Sequence, residues 1–101
     1  MTRWPVRIST DAEAQLLAVR SWWVANRPLA PDLFDRELDA AVFAIGDFPT
    51  AFPLYRRENE VDVRRALLPK ARHSLYFSIM PDHVLIVAIW HSARGSGPAL
   101  P

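Results

Sequence analysis

Three short apolar runs separated by turn signals decide the fold of this chain, and all of them lie between residues 63 and 94. The first run, VRRALLP, covers Val63–Pro69; the second, HSLYFSIM, covers His73–Met80; the third, HVLIVAIWH, covers His83–His91. Apolar and polar side chains alternate in the second run, which is typical of a strand with one face on a core and the other partly in water. The third run is apolar on both faces and rich in β-branched residues, as in a strand covered on two sides.

Turn residues separate these runs. Pro69 and Lys70 close the first run, and Pro81 with Asp82 stands between the second and the third. Pro presets φ for a tight turn, and Asp can hydrogen-bond its own backbone there. We therefore predict a three-stranded antiparallel meander, onto which the N-terminal half of the chain packs.

The N-terminal half predicts an edge strand and a first helix. Val6–Ser9 alternates in polarity after Pro5, a residue that is tolerated where a strand begins. Thr10 followed by Glu13 is a capping-box pattern, so a helix is predicted from about residue 11 to residue 25. The pattern leaves open whether the first strand lies at the edge of the sheet or beside a later strand.

A second helix and a long connection follow. Pro31 is predicted at the first position of this helix, where its missing N–H costs nothing, and Gly46 can end it. The short Arg27–Ala30 link makes the two helices an antiparallel hairpin. Asp47–Asp62 reads as a connection with an extended piece near Phe52–Tyr55. The predicted fold is α+β: an N-terminal strand, a helical hairpin and a meander, with both helices on one sheet face.

Length and composition limit the class of protein. A chain of 101 residues is one domain, and we assign residues 1–94 to it, with residues 95–101 as a flexible tail. The chain has no cysteine, which excludes disulfides and thiolate metal sites. No run reaches the about 20 apolar residues that cross a bilayer, and the N-terminus lacks the apolar region of a signal peptide.

Several pieces of the chain resemble the ParE/RelE superfamily of toxins from bacterial toxin–antitoxin pairs. They are Trp23–Leu38, then Val63–Pro69 with Arg72–Ile79, and finally Ala88–Leu100. The pieces follow one another in the order expected for the superfamily and cover nearly the whole chain. One departure is Thr50–Phe52, where members often carry a glycine.

The resemblance implies a small cytoplasmic toxin that a cognate antitoxin holds inactive. It leaves two activities open. Members similar to RelE cut messenger RNA on the ribosome, whereas members similar to ParE poison DNA gyrase and need no catalytic residues of their own. A third possibility is a member that only binds its antitoxin and regulates transcription. The chain has no glycine-rich phosphate loop, and we expect no cofactor.

A ribonuclease of this kind needs a base, an acid and several cations near one phosphate. The candidates are Arg65, Arg72, Tyr76, His91 and Arg94. Each also has a structural interpretation, since arginines can cover a sheet while the tyrosine and the histidine can be half-buried packing residues. The chain has a single lysine, and arginine is a poor proton donor because its pKa stays above about 12. These features favour the gyrase-directed, non-catalytic class.

Aromatic residues and arginine are enriched at protein interfaces. Adjacent helix positions such as Trp22 and Trp23 cannot both face inward, unless both flank a broad buried stripe. The predicted partner-binding residues are Trp22, Trp23, Arg64, Arg65 and Trp90. The histidines at positions 73, 83 and 91 are not at metal-ligand spacing, so no metal site is predicted.

Overall fold

The computed structural model describes residues 3–92, which form one five-stranded sheet and two helices. The elements in chain order are β1 (Val6–Ile8), α1 (Thr10–Asn26), α2 (Leu33–Asp47), a 3-10 turn (Pro49–Ala51), β2 (Leu54–Glu58), β3 (Val61–Leu68), β4 (His73–Ile79) and β5 (Val84–His91). The predicted α+β class is confirmed. The predicted tail at residues 95–101 lies outside the described residues.

The strands lie in the order β1-β5-β4-β3-β2. The predicted meander is present as β3, β4 and β5, and β2 adds a fourth antiparallel strand within the segment interpreted as a connection. β1 pairs in parallel with β5, with Val6 opposite Val84. This pairing answers the question that the sequence left open, because β1 lies at the edge of the sheet.

The middle strand, β4, is buried on both faces. Leu75 and Phe77 point to the helices and pack with Phe34 of α2 in the main core. The prediction of a partly wet opposite face is wrong, since Ser74, Tyr76 and Ser78 are buried as well. β4 has a neighbouring strand on each side, and on its second face Tyr76 packs in a cluster with side chains of β3 and β5 and with Tyr55 of β2.

A β-bulge in β5 sets which of its side chains face the helices. β5 has one extra residue, Val87, relative to β4. The extra residue lets both Ile86 and Ile89 enter the main core, although they are three positions apart. The N–H of Ile89 donates to Oε1 of Gln15 in α1 at 2.8 Å, so helix and sheet are also joined by a hydrogen bond.

The first helix begins one residue earlier than its sequence pattern indicates. Ser9 is the N-cap, with extended backbone, and its Oγ accepts a hydrogen bond from the N–H of Ala12 at 3.1 Å. Thr10 is already helical, so the predicted capping box of Thr10 and Glu13 is wrong. Both residues at the start are good cap formers, and the backbone decides between them.

The second helix begins later than predicted. Pro31 is not its first residue, because a turn closed by the N–H of Leu33 and the carbonyl of Ala30 precedes the helix. The helix also continues one residue past Gly46, to Asp47.

Gly46 lets the N-terminal segment lie against the end of α2. The N–H of Trp4 donates to the Gly46 carbonyl at 2.9 Å. The Arg3 guanidinium donates to the carbonyl of Phe43 at 3.1 Å and forms an ion pair with Asp47. A Cβ at position 46 would lie 2.6 Å from a nitrogen of that guanidinium, so a larger residue would displace Arg3.

Replacing Ser9 with Ala tests the assignment of the cap. The change removes the side-chain acceptor of the Ala12 N–H, and it should lower the free energy of unfolding by about 1 kcal/mol. Thr10→Ala is the matched control and should change it by less than about 0.5 kcal/mol. Urea unfolding followed by circular dichroism measures both. A larger loss for Thr10→Ala than for Ser9→Ala would reverse the assignment.

Candidate functional site

The sheet separates the candidate ribonuclease residues. Arg65 lies directly opposite Tyr76 on neighbouring strands, on the face away from the helices. His91 lies on the helix face, where its ring meets the ring of His73 edge-on at 4.9 Å. Arg72 lies in the turn between β3 and β4. Among residues 3–92 the predicted set is therefore not gathered at one place, and Arg94 lies outside the described residues.

The face of the sheet away from the helices, which we call the open face, has its own small apolar cluster. It comprises Val63, Tyr76 and Ala88, which are buried, and Tyr55, Val87 and Trp90, which are partly buried. Tyr76 is only 4% exposed, and the ring of Tyr55 packs against it edge-on at 4.7 Å. Tyr76 thus packs within the cluster, whereas Arg65 beside it is exposed.

Arg64 is engaged within the molecule. It lies on the helix side of β3, and its guanidinium donates to the Phe52 carbonyl at 2.7 Å and to the Thr50 carbonyl at 3.4 Å. These bonds fasten the segment after α2 to the sheet. Thr50–Phe52 is also the segment in which this chain departs from the pattern of the superfamily.

The two adjacent tryptophans have different environments. Trp23 is 4% exposed, packs with Phe34, and donates its Nε1–H to the Ala30 carbonyl at 2.7 Å. Trp22 is 45% exposed, and the guanidinium of Arg27 lies 5.0 Å from its ring centre. The prediction of a tryptophan at a partner surface therefore rests on Trp22 rather than on Trp23.

A basic cleft lies where the end of α1 meets the β3–β4 turn and the end of β5. Its volume is about 430 Å³. It is lined by Trp22, Trp23, Arg27, Lys70, Ala71, Arg72, His73 and His91. The sequence analysis marked Trp22, Trp23, Arg72 and His91 of this lining, but missed Arg27 and Lys70. Both missed residues lie in links between elements, at the same end of the fold. Their proximity depends on how the strands and helices are arranged, which the sequence pattern does not show.

The turn that carries the cleft's basic residues is held in place from α2. Glu37 accepts hydrogen bonds from the backbone N–H groups of Lys70 at 3.2 Å and Ala71 at 2.7 Å. Arg72 has a φ of 57°, in the left-handed region, and its carbonyl accepts a bond from the N–H of Ser92 at 2.8 Å. The turn is thus tied both to α2 and to the chain after β5.

His73 forms the floor of the cleft. It is buried, and its Nδ1 lies 2.7 Å from the Ala71 carbonyl. Since a carbonyl oxygen only accepts, Nδ1 carries a proton in this contact. The His73 ring lies between the rings of Phe34 and His91. Within the part of the chain that the structure describes, no group of three potential metal ligands comes together.

A hydrogen-bonded pair, Asp82 and His83, lies at the other end of the strands, in the β4–β5 turn. The hydrogen bond from His83, at 2.7 Å, is the main cause that lowers the pKa of the Asp82 carboxyl. Arg7 acts in the same direction through its charge. This pair does not belong to the basic cleft.

The chain thus has a small α+β fold, in which a parallel edge strand, a helical hairpin and an antiparallel meander carry a basic cleft at one end. The chain matches the family model of the ParE toxin of the type II toxin–antitoxin system, parDE, over residues 6–95. The protein belongs to this family, which implies a cognate antitoxin as a partner. No curated protein matches the chain. None of the helices within residues 3–92 is both long and apolar enough to cross a membrane.

The tryptophan pair predicts unequal effects of truncation. Trp23→Ala removes a buried ring and a hydrogen bond, and should lower the free energy of unfolding by about 3–5 kcal/mol. Trp22→Ala should cost less than about 1 kcal/mol, because its ring is partly in water. Urea unfolding followed by circular dichroism measures both values without relying on tryptophan fluorescence. Equal costs would contradict the assignment of Trp23 to the core and Trp22 to the surface.

Glu37→Ala should loosen the turn of the basic cleft. It leaves the N–H groups of Lys70 and Ala71 without their acceptor, and we expect a loss of about 1–3 kcal/mol in the free energy of unfolding. The exposed Asp39 on the same helix provides the control, Asp39→Ala. Hydrogen exchange should also become faster at the amides of residues 70 and 71 in the Glu37 variant alone. Unchanged exchange there would show that Glu37 does not hold the turn.

Proposed function

We propose that this protein is a ParE-like toxin that arrests bacterial growth in the cytoplasm by binding and poisoning DNA gyrase, and that a cognate antitoxin neutralises it. Family membership supports the toxin role. The observation that favours binding over catalysis is the distribution of the ribonuclease candidates over opposite faces of one sheet.

Proton transfer requires a base and an acid within hydrogen-bond reach of the reacting groups, about 2.6–3.2 Å. Tyr76 is buried in the open-face cluster, and its cross-strand neighbour Arg65 lies on that face too. His91 and Arg72 line the cleft on the other side of the sheet. One phosphate cannot reach both groups, whereas binding a protein needs only an accessible surface. Trp22 provides such a surface in the cleft.

A RelE-like ribonuclease is the second candidate, and one observation favours it. Arg72 and His91 line the same cleft, so a cation and a titratable ring lie near each other. Such a pair could bind a phosphate and move a proton without any contribution from Tyr76. This candidate predicts that messenger RNA is cut on the ribosome and that gyrase is unaffected.

Two assays with the purified protein distinguish these functions. Plasmid supercoiling by gyrase should fall as the protein is added, while messenger RNA in a reconstituted translation reaction should remain intact. Normal supercoiling at a large excess of the protein, together with cut messenger RNA, would replace the first proposal with the second. Induction in cells should give growth arrest with a DNA-damage response; growth without arrest would indicate a member that only binds its antitoxin.

Tyr76→Phe supplies the matched variant for the catalytic question. It removes a single hydroxyl group and keeps the ring that packs against Tyr55. We expect growth arrest and gyrase inhibition to equal those of the unchanged protein. Loss of arrest in a variant that still shows the native circular dichroism spectrum would assign the hydroxyl a chemical role and contradict the proposal.

A further inference from the structure

Cations without carboxylate partners converge on the basic cleft. Arg27, Lys70 and Arg72 line the cleft, and none of the three forms an ion pair within residues 3–92. Outside the cleft, Arg7, Arg64 and Arg65 also form no ion pair in the described chain, whereas the other arginines there pair with acids; these are Arg3, Arg20, Arg36, Arg56 and Arg57. No Asp or Glu is among the lining residues of the cleft. The cleft is therefore a concentrated positive site that an anionic group would neutralise.

The Arg27 guanidinium and the backbone of the β3–β4 turn are held in place before any ligand binds. The guanidinium of Arg27 lies over Trp22 at 5.0 Å and near Trp23 at 6.0 Å. Stacking of this kind restrains an arginine without neutralising its charge. Glu37 fixes the turn that carries Lys70 and Arg72. Because a ligand would not have to order the Arg27 guanidinium or the turn backbone, less entropy is lost on binding.

An apolar hollow adjoins the cleft. It has a volume of about 390 Å³ and is lined by Ala18, Val19, Trp22, His73 and His91. Trp22, His73 and His91 belong to both spaces, so the positive site and the hollow form one continuous surface. A matching ligand carries negative charge and, within a few ångströms of it, an apolar group. A peptide with acidic and aliphatic side chains has this chemistry, whereas a nucleic acid strand has no aliphatic side chain for the hollow.

We propose that the basic cleft binds an acidic protein segment with an apolar anchor. Its carboxylates would contact Arg27, Lys70 and Arg72, and an aliphatic side chain would enter the hollow beside Trp22. This inference rests on the proposed function, because the antitoxin that the family implies would supply the segment.

A designed peptide tests this directly. The probe is a fluorescein-labelled helical peptide of about four turns, with leucines along one side and glutamates along the other. Its control peptide carries Gln in place of every Glu, and a single-stranded RNA oligomer of equal charge is the third probe. Fluorescence anisotropy should show binding of the acidic peptide at low ionic strength, weakening as salt is added. We expect the control peptide to bind about tenfold more weakly or not at all.

The protein variants remove charge from the cleft while keeping the backbone. In the first, Arg27→Gln is combined with Arg72→Asn, since Asn tolerates the left-handed φ of 57° at that position. The second, Arg36→Gln with Arg57→Gln, changes the net charge equally at exposed positions outside the cleft. The cleft variant should bind the acidic peptide about tenfold more weakly, and the control variant within about twofold of the unchanged protein.

Three results would overturn the inference: equal binding of the Glu and Gln peptides, equal loss in both protein variants, or tighter cleft-dependent binding of the RNA oligomer than of the acidic peptide. The gyrase assay is performed on the same protein samples and evaluates the proposed function separately. Gyrase inhibition without cleft-dependent peptide binding would refute the inference alone. Peptide binding at the cleft without gyrase inhibition would refute the proposed target and leave the inference standing.

Discussion

The structure depends on the burial of β4 from both sides. Leu75 and Phe77 anchor the helix layer, and Tyr76 anchors the open-face cluster through Tyr55. A strand that is buried on both faces contributes two layers of apolar contact, which a chain of this size needs to offset its conformational entropy. The same strand separates the two faces of the sheet, so that side chains on opposite faces cannot contact each other.

The separation of the two sheet faces has a direct consequence for function. Residues that could act together in catalysis lie on opposite faces, whereas groups from α1, the β3–β4 turn and β5 meet at one end of the sheet. Glu37 ties the turn to α2, and Gln15 ties α1 to the bulge of β5. These polar links fix the three segments relative to one another. The basic cleft is thus built from the same contacts that hold the helices on the sheet.

Periodicity in the sequence was sufficient to predict both helices and strands β3, β4 and β5, because each of them buries a regular stripe or an apolar run. It was not sufficient for Leu54–Glu58, whose strand is short, charged and next to a proline. The choice between Ser9 and Thr10 as helix cap also depends on the backbone. The alternation of polar and apolar residues predicted that Tyr76 is partly exposed to water. This pattern cannot show which side chains of other strands cover that face of β4. Lys70 was not predicted as a site residue, because only the folded structure places its turn beside the end of α1.

Native-state hydrogen exchange measured residue by residue tests the central claim, that β4 is enclosed from both faces, most directly. Amides that open only when the whole protein unfolds exchange slowest, and those of edge strands exchange through local opening. The amides of Leu75, Tyr76 and Phe77 should be among the slowest, and those of Arg56 and Arg57 on the edge strand β2 should exchange faster. Exchange at Tyr76 as fast as at Arg56 would contradict the two-sided burial of the sheet and the separation of its faces.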